Sequence, residues 1–159
     1  ANYEDFFGYF STQQVAFVQE LAAIEPDIGL LTYIDSELML TTTKNPKVKK
    51  EWYVLGIMSG YSPVMQPAYI WMGEQGRNAY VKPIFQALSD VGNCAMANDW
   101  FAEYESFYNS YVVGGVSRVL VACEETDAPT AAPGMSAAST VAVTAIPLVT
   151  AMVLAVVAF

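Results

Sequence analysis

Helix-breaking residues divide this chain into short pieces. Pro26, Asn45-Pro46, Ser62-Pro63, Gly76 and Gly92 follow one another along the first two thirds of the sequence. Proline has no amide proton and clashes with the preceding turn, so a helix interior tolerates it poorly. Between these breaks the apolar residues recur three or four positions apart, which is the spacing of one helix face. The chain is therefore restricted to short helices joined by short connections.

The stripes are explicit. "FSTQQVAFVQELAA" places Ser11 and Gln14 as a capping box, with Phe10 as its staple and Val15, Val18 and Leu21 on one face. Asp27 opens a second helix carrying Leu31, Ile34 and Leu38. Asn45 caps a third and Pro46 fills its first turn, where a missing N–H is harmless; Val48, Trp52 and Leu55 are its inner face. Ser62 and Pro63 repeat that start for a fourth, with Met65, Tyr69 and Met72 inside and a stop at Gly76. The fifth holds Val81, Ile84, Phe85 and Leu88, and Pro83 is expected in its first turn. A sixth contains Ala95, Trp100, Phe101 and Tyr104, and a seventh runs from Ser110 to Val121. "YVVGGVSRVLVAC" is the only β-like stretch. The fold class is all-α, with short paired antiparallel helices in an armadillo- or HEAT-like solenoid.

Charge and residue types exclude several functions. The net charge is −9, with 7 Lys and Arg against 16 Asp and Glu, which argues against a nucleic-acid partner. The one basic run, "KNPKVKK", reads as a solvated helix start. There is no histidine, so the common zinc sites and histidine-dependent nucleophiles are excluded. No catalytic residue and no metal ligand set is assigned. Arg77 stands out because it follows Gly76 at a joint between two helices. It either contacts a ligand, or caps the carbonyls of the preceding helix or pairs with Glu74.

The chain ends differently from how it starts. Nothing after Asp127 is charged, and Val141 to Phe159 is almost wholly apolar. The organisation is a linker over 1–9, a helical domain over 10–122, a Pro/Ala/Ser/Thr spacer over 123–140 and a hydrophobic tail over 141–159. A small-residue spacer before an apolar terminus is the pattern of a glycolipid-anchor signal, with a retained membrane span as the alternative. Either places the protein at the cell surface, attached to membrane. In that oxidising space Cys94 and Cys123 either pair or remain two thiols.

Several segments resemble the C-terminal helical domain of the leukotriene A hydrolase and aminopeptidase B branch of the zinc aminopeptidases. "FSTQQ" is similar to its opening cap, and "KNPKVKKEWYVLGIMSGY" to its segment ending in Ser-Gly-Tyr. "EQGRNAYVKPIFQAL" resembles its Gly-Arg-x-Lys-[Phe/Tyr]-x-[Arg/Lys]-Pro-[Leu/Ile]-[Phe/Tyr] stretch, and "WFAEYESFYNSYV" its closing segment. The resemblance spans about Phe10 to Leu120. Two departures stand out: Ala79 replaces the motif lysine, and Asn109-Ser110 replace His-Pro.

The resemblance implies a domain that walls the substrate channel of a larger surface-anchored peptidase, with Arg77 holding a substrate carboxylate and Lys82 structural. It implies N-terminal and catalytic domains as partners and a peptide as substrate. Zinc is expected in the missing catalytic domain and no cofactor on this chain, because H-E-x-x-H is absent here. The chain alone is expected to be inactive. The rival reading is a non-catalytic helical-repeat binding module tethered to a membrane.

Overall fold

A computed structural model describes residues 3–127. They lie in the first of two units into which the chain divides, Ala1–Pro129 and Thr130–Phe159. The spacer from 128 onward and the apolar tail fall outside the described residues. Among the described residues there are eight α-helices and no strand. None of these helices is long and apolar enough to cross a membrane.

Two of the expected caps form. Asp27 Oδ1 accepts from Leu30 N at 2.7 Å and opens α3, Ile28–Leu38. Asn45 Oδ1 accepts from Lys47 N at 3.2 Å, with Pro46 as the first residue of α4, Pro46–Met58. Gly60 and Gly92 adopt φ of +70° and +74° just after helix ends, a conformation that side chains resist.

Other starts differ from the sequence expectation. For α2, Ser11–Ala23, the boundary residue is Phe10. Gln13 Oε1 accepts from Phe10 N at 2.9 Å, while the Ser11 hydroxyl accepts from Asn45 Nδ2 at 2.9 Å. Ser11 is thus the first residue inside the helix and not its cap, and its hydroxyl meets a long-range partner. Ser62-Pro63 opens a 3₁₀ turn, Ser62–Val64, ahead of α5, Met65–Glu74, and the Ser62 side chain caps nothing. That tight entry seats Val64 on α4 at Gly56, where a Cβ would lie 2.6 Å from a Val64 methyl carbon.

Pro83 lies inside α6, Asn78–Asp90, beyond its first turn. An interior proline costs about 3 kcal/mol. Val81, Ile84, Phe85 and Leu88 are all fully buried. At about 1.5–3 kcal/mol each, their burial outweighs the penalty. The N-terminal stretch showed no helix signal, yet Tyr3–Gly8 forms α1. Phe6 is buried there, 5.4 Å from the Phe17 ring centroid. Tertiary burial of Phe6 holds that turn as a helix.

The remaining helices are α7, Cys94–Tyr104, and α8, Ser110–Asp127. The β-like stretch is therefore helical, and α8 continues past Val121. Packing follows alternate helices: α2 lies on α4, α4 on α6 and α6 on α8. The helices between them add contacts of α5 with α7 and α1 with α3. Cys94 at the start of α7 is disulfide-bonded to Cys123 on α8, with Cα atoms 5.7 Å apart.

A polar cluster locks the α3–α4 connection. Thr41 donates to Asp35 from both its amide (2.8 Å) and its hydroxyl (2.6 Å). Trp52 Nε1 donates to Thr41 Oγ1 at 2.9 Å, and Tyr53 OH to the Thr41 carbonyl at 3.0 Å. Tyr61 OH donates to Asp35 Oδ2 at 3.2 Å. Burial, then the charges of Asp35 and Glu74, push the Tyr53 phenol up to about 12. Burial and then Asp35 raise Tyr61 as well. These phenols hold their protons more tightly folded than unfolded, where the value is about 10. Their contribution is whole below about pH 10 and is lost as pH rises through the folded values, about 12 for Tyr53. The urea midpoint should therefore stay level from pH 8 to about pH 10 and then fall. Tyr53→Phe should make that fall shallower. An unchanged slope in the variant would show that Tyr53 is not among the groups responsible.

Candidate functional site

The joint named by Gly76 and Arg77 is built from three helix starts. α5 ends at Glu74, and Gln75 and Arg77 are both extended (φ −115° and −100°). The Arg77 carbonyl accepts from Tyr80 N at 2.9 Å and Val81 N at 3.0 Å, which starts α6. Its side chain makes no cap and is exposed. The guanidinium carbon lies 5.9 Å from the Tyr80 ring centroid. Among the described residues the only ion pair joins Lys50 to Glu51. The alternative of a pair with Glu74 is thus not formed, and Arg77 contributes only its backbone to a helix end.

A groove of about 570 Å³ opens beside it. Lys47 from the first turn of α4 lines it, with Arg77, Ala79 and Tyr80 at the start of α6 and Tyr111 and Val112 at the start of α8. No Asp or Glu lines it. Residues from the first turns of three helices thus line one groove, and a helix N-terminus carries a partial positive charge. Ala79, where the motif lysine would stand, is exposed and lines the groove, whereas Lys82 does not.

Two residues of this site were not assigned to it from the sequence. Asn109 Oδ1 accepts from Tyr111 N (3.0 Å) and Val112 N (3.1 Å), capping α8. Its Nδ2 reaches the Gly76 carbonyl at 3.4 Å, tying the α8 start to the joint. An asparagine just ahead of a helical stripe is a cap signal, and it was legible at this position. In the sequence Lys47 belongs to a run that reads as a solvated helix start. The structure separates that run: Lys50 pairs with Glu51, Lys49 sits 6.0 Å from the Trp71 ring centroid, and Lys47 enters the groove. Asn78 also lines the groove, and its Oδ1 is buried without a hydrogen-bond partner. It packs on Gly115, where a Cβ would lie 2.7 Å away, so α6 and α8 approach closely there.

No group of three or more His, Cys, Asp and Glu among the described residues could hold a metal ion. The chemistry available at the groove is recognition of a negative group by two cations, backbone dipoles and two tyrosine rings.

A family model described as leukotriene A4 hydrolase, C-terminal, matches residues 9–120. Leucine aminopeptidase 2 of Aspergillus niger is 30% identical over 101 residues, covering 62% of this chain and 16% of the relative. Its namesake in Ajellomyces capsulatus is 26% identical over 121 residues, 73% of this chain and 19% of the relative. That of Yarrowia lipolytica is 26% identical over 125 residues, 74% and 19%. The chain thus spans under a fifth of the length of these relatives. No solved structure gives a significant match. With the family model covering most of the helical body, this chain belongs to the leukotriene A4 hydrolase C-terminal domain family.

Proposed function

We propose that this chain is the helical C-terminal domain of a zinc aminopeptidase that hydrolyses N-terminal peptide bonds. Here it walls the substrate channel, and Arg77 holds a substrate carboxylate. The observation that carries this reading is an exposed Arg77 without an ion pair, on a groove that no acidic residue lines. A planar guanidinium grips a carboxylate through two charge-assisted hydrogen bonds. The names of the fungal relatives support the peptide substrate. The described residues do not fit zinc, so the metal belongs to the catalytic domain of the parent, which is the partner of this one. The packing of alternate helices supports a solenoid. The Cys94–Cys123 bond fits an oxidising compartment, in keeping with a surface protein held by a glycolipid anchor or a retained tail.

Reading the gene upstream of Ala1 tests the parentage: it should encode H-E-x-x-H followed by a second glutamate. In that parent, Arg77→Ala should lower kcat/KM for short peptides by roughly 10- to 150-fold, the equivalent of about 1.5–3 kcal/mol. The melting temperature should hold, because an exposed side chain is rehydrated when truncated. Unchanged kinetics with a lowered melting temperature would reduce Arg77 to a structural role.

A further inference from the structure

We propose that Lys47 is the second cation of the Arg77 groove, so that α4 and α6 together grip one terminal carboxylate of a peptide. The proposal rests on the reading of Arg77 as a carboxylate contact and adds a residue from another helix. Only 7 Lys and Arg stand against 16 Asp and Glu in this chain. Two of them nevertheless line one groove that no acidic residue enters. Neither is in an ion pair among the described residues, while the neighbouring Lys50 is. A groove lined by two cations and no carboxylate favours an anion over a neutral group.

The geometry gives the two cations different tasks. Arg77 is held beside the Tyr80 ring, which restricts its planar fork. Lys47 is a mobile point charge at the first turn of α4, where the helix dipole adds to its field. α6 itself offers no second cation within the groove, because Ala79 lines it there. Tyr111, 72% exposed at the same rim, gives an apolar face to the residue that bears the carboxylate. The ligand class is therefore a peptide with a free C-terminus and an apolar last residue.

The test uses the full 159-residue chain in neutral detergent. N-acetyl-Ala-Phe and its C-terminal amide are titrated while the amide resonances of Ala79 and Tyr111 are followed by NMR. The free acid should bind at least about tenfold more tightly than the amide, as expected for charge-assisted contacts. Lys47→Met should weaken the acid by about three- to fivefold, the range of an exposed pair, and Lys47→Arg should restore it. Arg77→Met should weaken it more than Lys47→Met, with the melting temperature unchanged in all three variants. Wild-type binding in Lys47→Met with loss in Arg77→Met would overturn the role of Lys47 and leave that of Arg77. Equal weakening by Lys47→Met and Lys47→Arg would also overturn it, since packing and not charge would then matter. If acid and amide behave alike, both readings fall.

Discussion

Trp52→Ala is expected to destabilise the helical body by about 3–5 kcal/mol, the range for removing a large buried aromatic side chain. Trp52 is fully buried on α4, the helix that packs against both α2 and α6. Its ring meets Tyr61 edge-on, with centroids 5.9 Å apart. Its Nε1 donates to the Thr41 hydroxyl, which in turn donates to Asp35. The substitution opens a cavity and removes a hydrogen bond from a half-buried network, so the two losses add. Trp52→Phe separates them. It keeps most of the apolar volume, so its loss should be much smaller than that of the alanine variant. Urea unfolding of the two variants measures both. A loss below about 1 kcal/mol for Trp52→Ala would mean that the α4 face is not the centre of the core.

Cys123→Ser should be almost as damaging, and for a different reason. The bond to Cys94 closes a loop with a sequence separation of 29, which restricts the unfolded chain by about 3–4 kcal/mol on the loop-entropy model. For a domain of this size that is a fall of about 10–20 °C in melting temperature. Cys94→Ser should give the same fall, and the double variant no more than either single, because one bond is removed in every case. A reductant should lower the wild-type melting temperature to the level of the variants and leave the variants unmoved. A wild-type melting temperature insensitive to reductant would show that the bond contributes nothing.

The division between what is local and what is not runs through every element. Asp27, Asn45, Gly60 and Gly92 act on backbone groups within a few residues, and they were legible as starts and stops. The apolar stripes of α3, α4 and α6 were equally legible, since one helix face repeats every few positions. The failures share one cause. Ser11 lies one residue inside its helix, with its hydroxyl on Asn45, distant in sequence. Pro83 entered a helix interior because four fully buried neighbours outweighed its penalty. Tyr3–Gly8 became a helix because Phe6 found Phe17.

The sequence by itself determined an all-helical chain of short segments and its family through an ordered series of motifs, and it marked Arg77 as the candidate contact. Only the tertiary structure decided that Lys47, Arg77 and Asn109 share one groove, and that Cys94 meets Cys123. Each of these residues lies about thirty positions from the next, far beyond the reach of any cap or helical repeat. What brings them together is the packing of α4 on α6 and of α6 on α8, which sets three helix starts side by side.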